Sequence, residues 1–159
     1  MVVVREVSPG EWETLRDIRL AALKDSPDAF GSSYARESVF SEDNWRDRLT
    51  SGATTFFAEL ADVPEPVGLA GVYEADGLAD LVSMWVCPAA RGKGIGDALV
   101  DAASDWAKSQ GYDSLLLWVT ESNTPARRLY ERCGFTPTGE RQPLPSNPDL
   151  PEIQLSRSL

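Results

Sequence analysis

The chain of 159 residues contains no histidine and only two cysteines, Cys87 and Cys133. The first absence removes every Ser-His-Asp and Cys-His arrangement, because each needs an imidazole to move the nucleophile's proton. Together the two shortages leave no ligand set for a zinc site of the usual N/S type, so no metal is expected. One disulfide is arithmetically allowed, but a single pair in a domain of this size is weak ground for an oxidised framework. Long apolar runs are missing too. The longest, Leu115 to Val119, has five residues, against the roughly 20 that a membrane-spanning helix needs. The start, Met1 to Glu6, lacks the apolar stretch of a secretory signal, so a cytoplasmic location away from membranes is expected. Positive charge is scarce: 15 Lys and Arg stand against 25 Asp and Glu, a net charge of −10. Nucleic acid is therefore not an expected partner, since affinity for a phosphate backbone comes from clustered Lys and Arg. An acidic surface suits a cationic substrate and equally serves solubility.

What is present is globular. With 42% apolar and 25% charged residues, whole-chain disorder is excluded. The length fits one domain, residues 1–159, without linker, repeat or low-complexity block. Val2 to Val7 reads as a strand. Ser8, Pro9 and Glu11 then supply an N-cap, a first helical residue and a capping box. Trp12, Leu15, Ile18, Ala22 and Leu23 form that helix's buried stripe, and Pro27 ends it. Asp25 to Glu37 reads as irregular. A second helix is expected from Ser41 to about Ser51, with Trp45 and Leu49 inward. Thr54–Leu60, Val67–Glu74 and Leu78–Cys87 make an antiparallel meander, its last turn marked by Asp76-Gly77. Lys93 to Gln110 is an amphipathic helix, with Asp97, Asp101 and Asp105 repeating on one face. Leu115 to Val119 is apolar throughout, as in a strand covered on both faces. A helix opens at Thr124-Pro125 and closes at Gly134. Phe135–Glu140 and Glu152–Ser156 complete the sheet around a Pro-rich loop, Pro143 to Pro151. The class is α+β, in the order βααβββαβαββ.

The chemistry concentrates where a strand meets the strongest helix, at Val86-Cys87-Pro88-Ala89-Ala90-Arg91-Gly92-Lys93-Gly94-Ile95-Gly96. Glycine costs about 1 kcal/mol against alanine inside a helix. Gly94 and Gly96 nevertheless fall in the first turn. One reading is a flexible turn or a close strand–helix contact. The other is an anion site, where first-turn amides lack partners, the dipole is positive and glycine admits a phosphate. Arg91 and Lys93 add charge. A Walker A loop is absent, and G-x-G-x-x-G fails at Asp97.

This segment resembles the signature loop V-x-P-x-x-R-G-x-G-[IV]-G of the GNAT superfamily of acyl-CoA-dependent N-acetyltransferases, through Val86, Pro88, Arg91, Gly92, Gly94, Ile95 and Gly96. A second family pattern, N-x-x-A-x-x-L-Y-x-x-x-G-F, is met by Asn123, Ala126, Leu129, Tyr130, Gly134 and Phe135. The segment order along nearly the whole chain also fits. The resemblance implies a mostly antiparallel central sheet flanked by helices. It implies acetyl-CoA as co-substrate and direct transfer to an amine through a tetrahedral intermediate, the acceptor being a small-molecule or peptide amine. The phosphate cradle would run from Gly92 to Asp97, including Lys93. The backbone of Met84, Trp85 and Val86 would pair with the pantetheine arm, Asn123 would contact that arm or an ordered water, and Tyr130 would be the general acid to the thiolate. Relatives are often dimers, so monomer and homodimer both stay open.

The residues themselves keep other readings open. Tyr130 shares a stripe with Ala126, Leu129 and Cys133, as a core aromatic would. Asp97 is expected to point to solvent with Asp101 and Asp105. Arg127, Arg128 and Arg132 either meet the adenosine 3′-phosphate or form a solvated face. The base is unassigned: the position where some relatives carry a glutamate is Trp118, and Glu121, Asp80, Glu59 or water remain. Ala29–Tyr34 and the Pro-rich loop are candidate specificity elements on the acceptor side. The rival function is a catalytically silent acyl-CoA-binding or scaffold protein on the same fold.

Overall fold

A computed structural model describes residues 1–159. Seven strands form one sheet: β1 (Val2–Glu6), β2 (Thr54–Leu60), β3 (Gly68–Ala75), β4 (Leu78–Val86), β5 (Ser114–Thr120), β6 (Thr136–Leu144) and β7 (Asn147–Ser158). Their spatial order is β1-β2-β3-β4-β5-β7-β6, antiparallel except for β4 beside β5. The helices are α1 (Trp12–Asp25), α2 (Tyr34–Glu37), α3 (Glu42–Thr50), α4 (Ile95–Ser109) and α5 (Thr124–Arg132).

Three details depart from the sequence reading. The expected capping box forms, the Glu11 carboxylate accepting the Ser8 N–H at 2.7 Å, but the turn it caps, Pro9–Glu11, is 3₁₀ and α1 begins only at Trp12. The stretch read as irregular holds the short helix α2, capped by the Ser33 hydroxyl. The Pro-rich segment 143–151 is no loop. It is the end of a long β6–β7 hairpin, with Pro143 opposite Pro151 and Leu144 opposite Asn147. Proline is tolerated there because β6 is the edge strand and the β7 prolines, Pro148 and Pro151, lie beyond the last pair with β5, Thr120↔Glu152.

Two apolar layers sandwich the sheet. On one face α4 and α5 cover Phe56, Ala58, Ala70, Val72, Leu81, Leu115, Leu117 and Leu155. On the other, α1 and α3 pack Leu15, Ile18, Leu23 and Trp45 against Phe57, Leu69 and Trp85. Helix α4 lies close on β3, and Gly68 is what permits this. A Cβ there would stand 2.9 Å from Leu99 Cδ1 and 3.2 Å from both Ala58 Cβ and Ile95 Cγ2. Gly68→Ala should therefore lower stability by about 1–3 kcal/mol, read as a lower urea midpoint at unchanged m-value.

The bulge that shapes the site lies in β4. Gly71 faces Val82, but Leu69 already faces Trp85, so Ala70 opposes both Ser83 and Met84. Ser83 takes φ 58, which is rare for a residue with a side chain. Beyond the bulge β4 diverges from β5. The two strands share only Asp80↔Leu116 and Leu81↔Leu117. The diverging halves form a V that opens toward the start of α4 and the end of β5.

Candidate active site

A cavity of about 580 Å³ fills this V. Met84, Trp85 and Val86 form one wall and Asn123, Ala126, Leu129 and Tyr130 the opposite one, with the Arg91–Asp97 turn across its end. Of the residues that the resemblance assigns to the cofactor and to proton donation, all but Lys93 line it. Lys93 is exposed and outside the wall.

The turn is built to meet an anion. Gly92 and Gly94 adopt φ 79 and 78, and no atom lies within 4 Å of the position a Cβ would take on either. None of the six successive amides from Gly92 to Asp97 has an acceptor in the protein; the first bond of α4 runs from Ala98 N–H to Gly94 O at 3.1 Å. Gly96 serves packing instead, since a Cβ there would lie 3.0 Å from Leu129 Cδ2. A row of unpartnered donors at a helix start fits a pyrophosphate. The edge of Val82–Val86 that faces β5 is unpaired and can accept an extended amide-bearing chain. These residues fit coenzyme A.

Arg91 points elsewhere. Its guanidinium donates to Val86 O at 3.0 Å and to Asp25 Oδ2 at 2.8 Å. Asp25 also accepts the Trp85 indole at 3.1 Å and the Ser26 hydroxyl at 2.7 Å. These bonds, first those from Ser26 and Trp85, hold its carboxyl below the ordinary range. Arg91 thus ties the turn to α1 through its side chain and leaves the backbone to face the cavity. Asp25 was missed by the sequence reading. It lies 66 residues from Arg91, and no motif connects them.

Asp97 does not simply point to solvent. It pairs with Arg132 at 2.9 Å, which offsets its charge beside the amide row. Arg132 lines the cavity, and Arg127 donates to Glu121 O at 3.0 Å. Asn123 is the N-cap of α5, its Oδ1 accepting Ala126 N–H at 3.3 Å. Its amide nitrogen stays available to a ligand. Tyr130 is buried, stacked edge-on against Phe135 at 5.7 Å, with a face on the cavity. Burial, with Cys133 adding, raises its phenol well above the usual value, and no hydrogen bond acts on it. Both cysteines are free. Cys133 is pushed up to about 11 by burial and by Asp97, which makes it a poor nucleophile at neutral pH.

Two of the three carboxylates considered as bases are already paired. Glu121 accepts Arg141 Nε at 3.1 Å, and Glu59 accepts Arg5 Nε at 2.6 Å. Asp80 is unpaired, its Oδ1 sealed without a partner and its pKa raised by burial, but it lies off the cavity wall. Ser26, the residue after α1, and Ala29 complete the wall; Ala29 opens the segment expected on the acceptor side, while Ser26 was not foreseen.

Comparison with known proteins agrees with this geometry. The sequence model of the Acetyltransferase (GNAT) family matches residues 12–135. A mycothiol acetyltransferase of Stackebrandtia nassauensis is 29% identical over 140 residues, covering 85% of this chain and 44% of the relative. One from Beutenbergia cavernae is 43% identical over 58 residues, covering 36% of this chain and 20% of the relative. The chain thus spans less than half the length of either relative. A GNAT-family acetyltransferase structure from Streptococcus pneumoniae superposes with a TM-score of 0.81 at 18% identity, covering 100% of this chain and 99% of the other. The bulged β4, the V beside it, the glycine turn and a family match over most of the length lead to one assignment: the chain belongs to the GNAT acetyltransferase family.

Proposed function

We propose that this chain is an N-acetyltransferase domain that moves the acetyl group of acetyl-CoA directly to a primary amine. The observation that carries this is the row of six unpartnered amides lining one end of a V-shaped cavity. Bound acetyl-CoA would supply the activated acetyl group. The Gly92–Asp97 amides would hold the pyrophosphate, with Arg132 beside them. The free edge of Met84–Val86 would hold the pantetheine arm and set the height of the thioester in the V. Tyr130 would donate to the departing sulfur. Its phenol keeps its proton at neutral pH, because burial disfavours the phenolate. Asn123 would orient the arm through its free amide nitrogen. Catalysis is then mostly positioning, with one proton supplied by Tyr130. A primary amine with pKa near 10.4 must also lose a proton before attack. Water leaving along the open V can carry it.

A thermal-shift series with acetyl-CoA, CoA, NAD and ATP tests the reading. A ligand that binds only the folded state stabilises it by about 2.7 kcal/mol at one hundred times Kd. The expected result is a rise with acetyl-CoA and CoA alone. No rise with either, in folded protein, would overturn the cofactor assignment.

A further inference from the structure

We propose that Glu152 selects the acceptor, its carboxylate receiving the ammonium end of a net-cationic primary amine. This rests on the acetyl-transfer reading above.

The fold buries two glutamates and treats them differently. Glu37 is fully enclosed and held by Arg19 and Arg48. Glu152 is 6% exposed and meets no Lys or Arg. Its one partner is neutral: the Gln142 side-chain amide donates to Oε1 at 2.6 Å. Oε2 has no partner, yet it is not among the sealed atoms, so it keeps contact with solvent. Burial raises the pKa of this carboxyl against the opposing bond from Gln142. A carboxylate held this way is costly to the fold, because a buried charge needs a counter-charge.

Its position places that need at the acceptor side. Along β7, Ile153 and Leu155 join the core under α4, and Arg157 reaches Ser104 of that helix. Glu152 therefore faces the opposite way, toward α1. Its register partner on β5 is Thr120, whose hydroxyl donates to Asp28 O at 2.6 Å. Asp28 precedes Ala29 of the cavity wall, while Glu152 itself is not on that wall and reaches it only through this contact. The hairpin tip closes on the same loop, with the Ser146 hydroxyl donating to Phe30 O and Asn147 to Asp28 Oδ1. Trp118 lies two residues along β5 on Glu152's face and is half-buried, an apolar surface for the body of an amine. Asp80 lies further along this face, also without a counter-charge. A cation approaching the V from this side meets a carboxylate that nothing in the protein neutralises.

The test follows thiol release from acetyl-CoA with spermidine, 1,5-diaminopentane, glycine and glutamate as acceptors. The cationic amines should exceed the carboxylate-bearing ones at least tenfold in kcat/KM. Glu152→Gln should raise KM for the best amine at least tenfold and leave the acetyl-CoA Kd within twofold. It should not lower Tm, because it removes an unpaired buried charge and keeps a partner for Gln142. A merely structural Glu152 would give the reverse: lower Tm and unchanged KM. Asp149→Asn, an exposed neighbour on the hairpin, controls for general acidity. The proposal falls if glutamate or glycine is preferred, if Glu152→Gln leaves the amine KM unchanged, or if Asp149→Asn matches its effect. It also falls if no amine in the panel is turned over while acetyl-CoA binds. Failure of acetyl-CoA to bind would bring down the underlying reading and this proposal with it.

Discussion

Tyr130→Phe should lower the turnover of acetyl transfer by about 10²–10⁴-fold, the range for loss of a positioned proton donor. The substitution removes one oxygen and little else. The ring keeps its edge-on contact with Phe135 and its place in the core under α5. Binding of CoA should stay within a factor of about two, since the amide row and the β4 edge are untouched, and Tm should not fall. A loss of turnover with intact affinity separates a proton donor from a core aromatic, whose replacement by Phe would leave turnover unchanged. It also separates an enzyme from a silent acyl-CoA-binding protein, which has no turnover to lose. The pH profile carries a second check. Burial raises the phenol above its ordinary pKa near 10. Deprotonation of Tyr130 should thus cause no fall in kcat below about pH 10. Unchanged thiol release by Tyr130→Phe would place the donor elsewhere.

Arg19→Met should destabilise the protein by about 3–5 kcal/mol, because it leaves most of a buried charge uncompensated. For a domain of this size that is roughly a 10 °C loss in Tm. Arg19 makes two bonds of 3.0 Å to Glu37, and a third of 3.0 Å to the Ser83 hydroxyl at the bulge. It also lies over the Phe30 ring at 4.9 Å. Burial opposes ionisation of Glu37, but Arg19, Ser32 and Arg48 outweigh it, so its carboxyl sits below the ordinary value. The sign follows. A depressed carboxyl contributes stability that is present above its unfolded pKa, near 4.3, and is lost as pH falls through the folded value. The gap between wild type and variant should therefore be full at pH 7 and narrow in acid. Arg19→Met with Glu37→Leu should recover most of the loss, since Arg48 is a third exposed and can turn to water. A single-variant loss under about 1 kcal/mol would mean that Arg48 alone suffices for Glu37.

Most elements could be read from local pattern. Helix α4 and strand β5 declare themselves because one has an apolar stripe and the other is apolar throughout. The tip of the β6–β7 hairpin, residues 143–151, did not, because its prolines mimic a loop; only its place at the sheet edge makes them harmless. Helix α2 is a single turn, too short for periodicity to register. At the site, glycines with positive φ and a tyrosine at fixed spacing are local features, and the sequence exposes them. Roles that depend on distant partners were hidden. Arg91 reads as an anion ligand until Asp25 is seen to hold it. Asp97 reads as solvated until Arg132 is seen beside it.

The sequence by itself determined the class of fold, the glycine turn ahead of α4, and the exclusion of imidazole chemistry. Each depends on residue type and short spacing. Only the tertiary structure decided which charges are neutralised. Glu37 and Glu152 look alike in the chain; one lies between two arginines and the other has only an amide. That difference is set by which side chains the sheet and helices bring within hydrogen-bonding reach. No spacing along the chain encodes it.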